Sequence, residues 1–320
     1  MSESKAPPIR ISVSACLLGE KVRYDGGHKR DGFLVDTFGR YVEWVPVCPE
    51  VEMGLGVPRE TLRLVRIGAD VRLIMAKAGV DHTEEMCAYA EGRVKQLAGE
   101  DLCGYILKKD SPSCGMERVR VFDAQGVPSK SGRGLFAEAL LRQFPNLPIE
   151  EEGRLSDPRI RENFVERVFA YRRLRSLFAE PWKVGDLVRF HTAHKLLLMA
   201  HSPKSYEVLA RLVAGGKANP RMTLRERYEA EFMGALRVMA PTRRHANVLH
   251  HIIGYFPKQL DGDSRRELLS VIEDYRKGLL PLVVPLTLIR HYVRRFNVTY
   301  LQGQVYLEPH PKELMLRNHV

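Results

Sequence analysis

Residues 102–115 read LCGYILKKDSPSCG, and this stretch sets the interpretation of the first half of the chain. Its first part, residues 104–107, is an apolar run of strand character. Its second part, residues 111–115, places turn-forming residues around one thiol. We therefore expect Cys114 to lie in a loop just beyond the carboxyl end of a buried strand.

Two other cysteines follow strand-like runs in the same way. Cys16 follows residues 9–15, and Cys48 follows residues 42–47. In a parallel sheet the carboxyl ends of the strands lie at one edge, where ligands bind. The sequence therefore predicts that Cys16, Cys48 and Cys114 share one site.

Strand-like and helical segments alternate through the first half of the chain. A further strand is predicted at residues 70–75, and a hairpin is predicted to begin at residue 119. Helices are predicted at residues 30–40, 82–97 and 134–143. This alternation indicates an α/β domain with a mainly parallel sheet.

The pattern changes near residue 157. Ser156, Asp157 and Pro158 resemble the start of a helix, with proline in its first turn. Helices are predicted beyond it at residues 186–200, 204–214, 224–239, 242–254, 264–277 and 286–296. We therefore predict two domains, residues 1–157 and residues 158–320, and an all-α fold for the second.

Composition narrows the class of protein. No apolar run approaches the roughly 20 residues of a membrane span, and residues 1–10 lack the apolar centre of a signal peptide. We expect a cytoplasmic protein with no membrane partner. In a reducing compartment, five cysteines without regular spacing are typical of metal-binding, catalytic or buried thiols. Cys87 and Cys103 fit the role of small buried hydrophobic residues.

Charge is divided unevenly between the predicted domains. Residues 1–157 contain 22 Lys and Arg against 24 Asp and Glu, a net charge of −2, whereas the remainder contains 28 against 15, a net charge of +13. A basic surplus of this size attracts polyanions, nucleic acid above all. The alternative is a solvated surface that keeps the protein soluble.

The spacing of the three thiols does not decide their role. They are separated by 32 and 66 residues with no Cys-x-x-Cys pair, whereas zinc fingers and ferredoxin-type clusters have closer pairs. Converging thiolates suit a soft metal. Three thiolates around a four-iron cluster would leave one iron open to a sulfur-containing ligand. The alternative is three small buried side chains.

Five ordered motifs make residues 9–150 resemble the thiouracil desulfidase family. They are SACLLG at 14–19, RYDG at 23–26, CPE at 48–50, GLGVPR at 54–59 and SPSCG at 111–115. Residues 185–310, with FHTAHK at 190–195 and LHHIIGYF at 249–256, resemble the helical domain fused to it in the tRNA 4-thiouridine desulfidases.

The resemblance implies a cofactor and a reaction. A 4Fe-4S cluster would be held by Cys16, Cys48 and Cys114, with its fourth iron free to take the thiocarbonyl sulfur of a thiolated pyrimidine. Water, as co-substrate, replaces that sulfur, and hydrosulfide leaves. The implied partner is tRNA that contains 4-thiouridine.

Motif position also suggests roles for residues beside the thiols. Glu50 is the predicted acid or base, with a helix-start carboxylate as the alternative. Ser111 is predicted to bind the pyrimidine or to orient water, with a turn-forming role as the alternative. The predicted substrate-binding residues are Asp25, which could instead organise its loop, and Ser14, Ser113 and Lys109.

Two groups of basic residues in the second domain are candidates for RNA binding. They are Arg189, His191, His194, Lys195 and Lys204, and then Arg243, Arg244, His250 and Lys258. Helical spacing predicts that His191, His194 and Lys195 share one basic face. Tyr206, Tyr228 and Tyr255 are candidates for base stacking. Metal binding by these histidines is disfavoured because no nearby carboxylate or thiol completes a ligand set. A dimerisation or packing role is the alternative for the domain.

The favoured function is therefore desulfuration of 4-thiouridine in tRNA. Two alternatives stay open from the sequence. One is a desulfidase of free thiouracil bases, for which the basic second domain would be unnecessary. The other is a metal-containing RNA-binding regulator without turnover.

Overall fold

A computed structural model describes residues 8–179, 181–256 and 260–319. The chain divides into two compact units, Met1–Ser156 and Asp157–Val320. None of the described helices is long and apolar enough to cross a lipid bilayer.

The described part of the first unit contains eight strands and three α-helices. The strands are β1 (Ile9–Ser14), β2 (Val42–Val47), β3 (Leu62–Ile67), β4 (Asp70–Met75), β5 (Leu102–Leu107), β6 (Val119–Phe122), β7 (Pro128–Gly132) and β8 (Ile149–Glu151). The helices are α1 (Pro49–Glu52), α2 (Thr83–Ala98) and α3 (Leu135–Gln143).

The main sheet has the order β2-β1-β5-β8, and all three pairings are parallel. Strand β5 is buried along its whole length, which explains its continuous apolar sequence, because a strand covered on both faces has no solvent-facing positions. The predicted α/β fold with a mainly parallel sheet is confirmed.

A second sheet has the order β4-β3-β6-β7, in which β3 and β6 pair in parallel and the outer pairs are antiparallel. Strand β3 was not expected from the sequence. Its side chains are mostly half-exposed, and only Leu64 is fully buried, so it lacks a strong periodic pattern.

Two expectations for the first unit are wrong. The segment at 30–40 is not a regular helix but a π-helical turn (Phe33–Thr37) followed by a 3-10 turn (Phe38–Arg40). The buried ring of Phe38 packs edge-on against Trp44, with ring centroids 5.9 Å apart, so side-chain packing orders this segment. Cys87 is exposed on α2, whereas Cys103 is buried as expected.

The second unit is helical throughout its described residues. Its helices are α4 (Pro158–Ala179), α5 (Val184–His201), α6 (Pro203–Ala214), α7 (Arg221–Arg237), α8 (Thr242–Ile253), α9 (Gly262–Arg276), α10 (Val283–Arg295) and α11 (Thr299–Gln302). The six segments predicted after residue 185 correspond to α5 to α10. The predicted all-α class is confirmed.

A buried ionic network links α4 and α5 to the end of the chain. Glu166 accepts hydrogen bonds from His201 Nε2 at 2.5 Å and from Arg317 Nη2 at 2.9 Å. Arg317 also pairs with Glu162, its Nε lying 3.1 Å from Oε1. Burial by itself would raise the pKa of Glu166, but the charges of His201 and Arg317 hold it well below its ordinary value of 4.5. The network therefore depends on an ionised Glu166.

We predict that Glu166→Gln lowers the free energy of unfolding by about 3 kcal/mol at neutral pH, because it leaves Arg317 buried without its full counter-charge. A carboxylate whose pKa is lowered by folding stabilises the fold above its unfolded pKa and loses that contribution as the pH falls below it. The difference in the free energy of unfolding between wild type and Glu166→Gln should thus become smaller below about pH 4.5.

Urea unfolding followed by circular dichroism at neutral and acid pH measures both effects. Glu273→Gln is the control, because Glu273 pairs with Arg276 on the exposed face of α9 and its change should leave stability near that of wild type. Equal stability of Glu166→Gln and wild type at neutral pH would contradict the prediction.

Candidate active site

A cavity of about 610 Å³ in the first unit is lined by three thiols. Cys16 lies in a 3-10 turn (Ala15–Leu18) directly after β1. Cys48 follows β2 and precedes α1, and Cys114 lies in the loop that follows β5. The structure thus brings Cys16, Cys48 and Cys114 to one cavity at the carboxyl edge of the sheet; which ligand they hold stays a prediction.

The thiols share an electrostatic environment. Burial raises the pKa of Cys16 to about 11 and also raises that of Cys48. Burial raises the pKa of Cys114 well above its ordinary value, and negative charge on Glu50, Cys48 or Cys16 would raise it further. Three thiolates in this position therefore require a compensating positive charge.

Glu50 lies beside the thiols and is held at both carboxylate oxygens. Its Oε2 accepts hydrogen bonds from Arg59 Nε at 2.8 Å and Nη2 at 2.6 Å, and its Oε1 accepts one from Ser113 Oγ at 2.8 Å. The side chain of Arg59 is only 5% exposed, and that of Glu50 is 15% exposed. A carboxylate offers about four acceptor positions, so one remains on Oε1.

Arg59 also orders two loops around Glu50. Its Nη1 donates to the carbonyl oxygens of Val22 and Gly56, each at 3.0 Å. Its backbone N–H donates to the Tyr24 carbonyl at 2.9 Å. Arg59 therefore ties the residues after Cys16 to those after Cys48 and fixes the Glu50 carboxylate between them.

The Cys114 loop is shaped by its own hydroxyls and by α3. Ser111 lines the cavity, and its Oγ accepts hydrogen bonds from the backbone N–H groups of Ser113 at 3.3 Å and Cys114 at 3.1 Å. The first N–H groups of α3 reach the same loop, with Phe136 N donating to the Ser113 carbonyl at 3.1 Å. Ser111 therefore has the turn-forming role that was the alternative for it. The O–H of Ser111 is left to act as a donor.

Two of the predicted substrate-binding residues, Ser113 and Asp25, do not line the cavity. Ser113 is fully buried, does not line the cavity and donates to Glu50, so it positions the carboxylate. Asp25 is exposed outside the cavity lining, and its Oδ1 accepts a hydrogen bond from Gly27 N at 3.0 Å. The prediction that Ser113 contacts substrate is wrong, because its side chain is fully buried and its hydroxyl donates to Glu50. Substrate binding by Asp25 stays a prediction, and its bond to Gly27 fits the alternative that it organises its loop.

Ser14 and Lys109 do line the cavity. Ser14 is 3% exposed and accepts a hydrogen bond from Lys108 N at 2.9 Å. Lys109 is exposed, and its backbone N–H donates to Glu152 Oε2 at 2.7 Å. Lys108, beside it, pairs with the same carboxylate.

Among the charged residues that line this cavity, basic side chains outnumber acidic ones. Seven of the lining residues are Lys or Arg and two are acidic: Arg23, Lys29, Arg59, Arg63, Lys108, Lys109 and Arg120 against Glu50 and Asp110. Arg63 Nε is buried with no hydrogen-bond partner among the described residues, and its guanidinium lies 5.6 Å from the centre of the Phe122 ring. An anionic ligand fits these walls.

The basic residues predicted to bind RNA separate into two sets. His191 and His194 are buried, 8% and 2% exposed, and burial lowers their pKa values to about 4 and about 3. His191 stacks on Tyr206, and Nδ1 of His191 lies 3.2 Å from the hydroxyl of the buried Tyr228. The prediction that these histidines join a basic surface is wrong, because they are neutral and belong to the core.

The remaining predicted RNA-binding residues lie nearer the surface. Arg189, Lys204, Arg243 and His250 are exposed, Lys195 and Arg244 are half-buried, and Lys258 lies outside the described residues. Arg244 donates to the His201 carbonyl, which takes up part of its guanidinium. Their role in RNA binding stays a prediction.

Sequence reasoning missed several residues that shape the site. Arg59 is the last residue of the GLGVPR motif, but no role was predicted for it. Arg63 and Lys108 lie outside the five motifs. Glu52 was also missed: it accepts a hydrogen bond from Cys48 N at 3.0 Å and from Arg93 Nε at 3.0 Å. The charge of Arg59, nine residues beyond Glu50, was the one available indication of a partner for that carboxylate.

Within the described ranges, no group of three or more His, Cys, Asp or Glu side chains is arranged to hold a metal ion. All five cysteines are free of disulfides.

Two family models match the chain. One, described as 2-thiouracil desulfurase, matches residues 11–152, and the other, described as a protein of unknown function (DUF1722), matches residues 195–311. The first range contains every residue of the cavity described above.

Two curated proteins and one solved structure are similar to the chain. The uncharacterized protein YbgA of Escherichia coli K12 is 32% identical over 161 residues, 50% of this chain and 95% of that protein. The uncharacterized protein YbbK of Bacillus subtilis 168 is 37% identical over 116 residues, 33% of this chain and 72% of that protein. A 4Fe-4S-dependent thiouracil desulfidase, TudS, is 33% identical, with 47% of this chain and 94% of that chain covered and a TM-score of 0.38.

We predict that Gly134→Ala destabilises the Cys114 loop. A Cβ atom at Gly134 would lie 2.4 Å from the Ser113 carbonyl oxygen and 2.8 Å from Cys114 N, so the loop must move. Overpacking of this kind costs about 1 to 3 kcal/mol. Thermal unfolding of the purified variant measures the loss.

Gly234→Ala on α7 is the matched control, because a Cβ atom there meets nothing within 4 Å. Alanine is also the better helix former, by roughly 1 kcal/mol. A Gly134→Ala protein as stable as wild type would show that the loop tolerates displacement from α3.

Proposed function

Given that this chain belongs to the 2-thiouracil desulfurase family, we propose that it replaces the thiocarbonyl sulfur of a thiolated pyrimidine with oxygen. One observation carries the proposal: Cys16, Cys48 and Cys114 line the same cavity as the Glu50 carboxylate. All four residues lie within the range matched by the family model.

The proposed cofactor is a 4Fe-4S cluster held by Cys16, Cys48 and Cys114. The donor set fits this cluster. Three free thiols are soft sulfur ligands, which favour iron-sulfur chemistry over calcium or magnesium. When bound, the cluster supplies a Lewis-acidic iron that accepts sulfur. The similar thiouracil desulfidase, TudS, is itself 4Fe-4S-dependent.

The proposed role of Glu50 is to take a proton from the attacking water. Arg59 occupies Oε2 through two hydrogen bonds, and Ser113 occupies one position of Oε1. The remaining position on Oε1 is therefore the one that accepts the proton. Arg59 and Ser113 act as positioning residues that hold this oxygen in place.

The reaction needs no net electron transfer. A thione carbon and a ketone carbon have the same oxidation level, so one water in and one hydrosulfide out balance the exchange. Ser111 supplies a hydroxyl donor and Lys109 a cation at the cavity wall, where a pyrimidine oxygen or a phosphate is to be held. Ser14 lines the same cavity as Cys114 and is the proposed further polar contact for the substrate.

The proposed substrate is 4-thiouridine within tRNA. A neutral thiouracil base gains little electrostatic attraction from basic walls. A nucleotide in RNA carries a phosphate that Lys and Arg side chains can bind. Arg63 supports this choice, because its Nε has no partner among the described residues and Phe122 lies beside it for stacking. Residues 158–320 add a net charge of +13, and Arg189, Lys204, Arg243 and His250 are exposed to contact phosphates.

The first test combines metal analysis with turnover. We expect protein purified without oxygen to contain iron and sulfide and to convert 4-thiouridine in tRNA, seen as loss of the thiocarbonyl absorbance and release of hydrosulfide. Cys114→Ala should lose both iron and activity. Glu50→Gln should keep its iron but lose turnover by about a hundredfold or more, the usual contribution of a general base.

Iron-replete wild-type protein that binds tRNA without loss of the thiocarbonyl would contradict the proposal and favour a regulator that binds RNA. Glu50→Gln with normal turnover would remove Glu50 from the chemistry while leaving the desulfidase assignment intact. Ser113→Ala, which leaves Arg59 in place, should reduce turnover less than Glu50→Gln.

A second prediction separates tRNA from the free base. Arg63→Met should lower kcat/KM for thiolated tRNA about tenfold, the size expected for one charged hydrogen bond, and leave kcat/KM for free 4-thiouracil unchanged. Arg66→Met on the same strand is the control, because Arg66 is exposed and does not line the cavity. Equal losses with both substrates would show that Arg63 serves the reaction rather than RNA binding.

A further inference from the structure

A cavity of about 490 Å³ in the second unit has no part in the proposed reaction. Its walls come from α4, α10 and the segment at residues 307–318. Arg173 on α4, Arg290 on α10, and His310 and Lys312 on that segment line it, and we call it the Arg173 cavity.

Among the residues that the structure describes, no carboxylate pairs with Arg173. Its Nη2 donates to the Pro309 carbonyl at 2.6 Å, and its Nη1 is buried with no hydrogen-bond partner among the described residues. Burial lowers the pKa of Arg173, and the charge of Glu166 only partly offsets this. A buried guanidinium without a paired anion is costly, so an anion bound in the cavity would offset that cost.

The other charges around the cavity do not neutralise Arg173. The guanidinium of Arg317 is used by Glu162 and Glu166. Arg290 has a carboxylate oxygen of Glu308 at 3.8 Å, but the Glu308 side chain is 71% exposed. Lys312 and Glu313 are also exposed at the rim. The buried part of the wall therefore carries positive charge.

His310 adds a buried acceptor to these donors. Its Nδ1 lies 3.1 Å from the Pro311 carbonyl oxygen, which can only accept, so Nδ1 carries the ring hydrogen. In the neutral ring its Nε2 is then an acceptor, and it is buried with no partner among the described residues. Arg173, Arg290 and His310 all line the cavity, so its wall carries cationic donors and one acceptor.

We propose that the Arg173 cavity binds a terminal phosphate group, whose oxygens accept hydrogen bonds from Arg173 and Arg290 and whose P–O–H donates to His310 Nε2. A phosphate that is inorganic or terminal retains this hydrogen to about pH 6 or above, whereas sulfate and the phosphodiesters within an RNA strand have none. The phosphate comes from the end of an RNA strand or from a free phosphorylated molecule. The proposal does not depend on the desulfidase assignment, because the cavity lies wholly in the second unit.

Calorimetric titration of the full chain at about pH 6 tests the proposal, with inorganic phosphate and sulfate as probes. We expect wild type to bind phosphate at least tenfold more tightly than sulfate. Arg173→Met should weaken phosphate binding at least tenfold. Arg266→Met is the matched control and should bind as wild type does, because Arg266 is 77% exposed on α9 and outside the cavity.

A second variant keeps the test decisive if Arg173→Met does not fold. His310→Phe should bind phosphate and sulfate with equal affinity, since it lacks the acceptor that distinguishes them. Absence of phosphate binding to wild type, or equal phosphate affinity of wild type and Arg173→Met, overturns the proposal. Retained discrimination in His310→Phe overturns it as well.

Titration with one short RNA oligonucleotide, with and without a 5′-phosphate, identifies the source. If the 5′-phosphate tightens binding to wild type but not to Arg173→Met, the site holds the end of an RNA strand. If it has no effect while inorganic phosphate still depends on Arg173, the site takes a free phosphorylated molecule. Both results support the phosphate site.

Discussion

The parallel pairing of β1 with both of its neighbours is the constraint on which the site depends. Strand β1 pairs with β2 up to Ser14 opposite Val47, and with β5 at Val13 opposite Ile106. Because the three strands run in one direction, the residues that follow them emerge at one edge. Cys16 and Cys48 are the second and first residues beyond their strands, and the loop after β5 returns Cys114 to the same place.

The charged side chains of the lining then give the cavity a positive potential. The first unit is close to neutral, yet folding gathers seven basic and two acidic side chains around the thiols. One ion pair inside this wall, Arg59 with Glu50, keeps a carboxylate ordered where positive charge prevails. A fold can thus focus charge that composition does not reveal, and the proposal of a phosphate-bearing substrate rests on this focused charge.

The second unit divides its polar residues between interior and surface. His191, His194 and His201 lie in the core, where aromatic stacking and the Glu166 network engage them, and much of the basic charge remains outside. Desolvation offsets much of the attraction within a buried ionic network, whereas removal of one partner leaves an uncompensated buried charge. Arg173 differs from Arg317, since no carboxylate among the described residues pairs with it.

The sequence by itself determined the strand ends that carry the thiols, the order of the helices and the change of class near residue 157, because periodicity and turn residues act over short distances. The tertiary structure alone decided which side chains meet. It paired Glu50 with Arg59, placed Arg63 in the wall of the cavity through a strand without clear periodicity, and buried His191 and His194 inside helices whose spacing suggested a basic face. Hydrogen-bond partners and burial depend on segments far apart in the chain, and no local pattern encodes them.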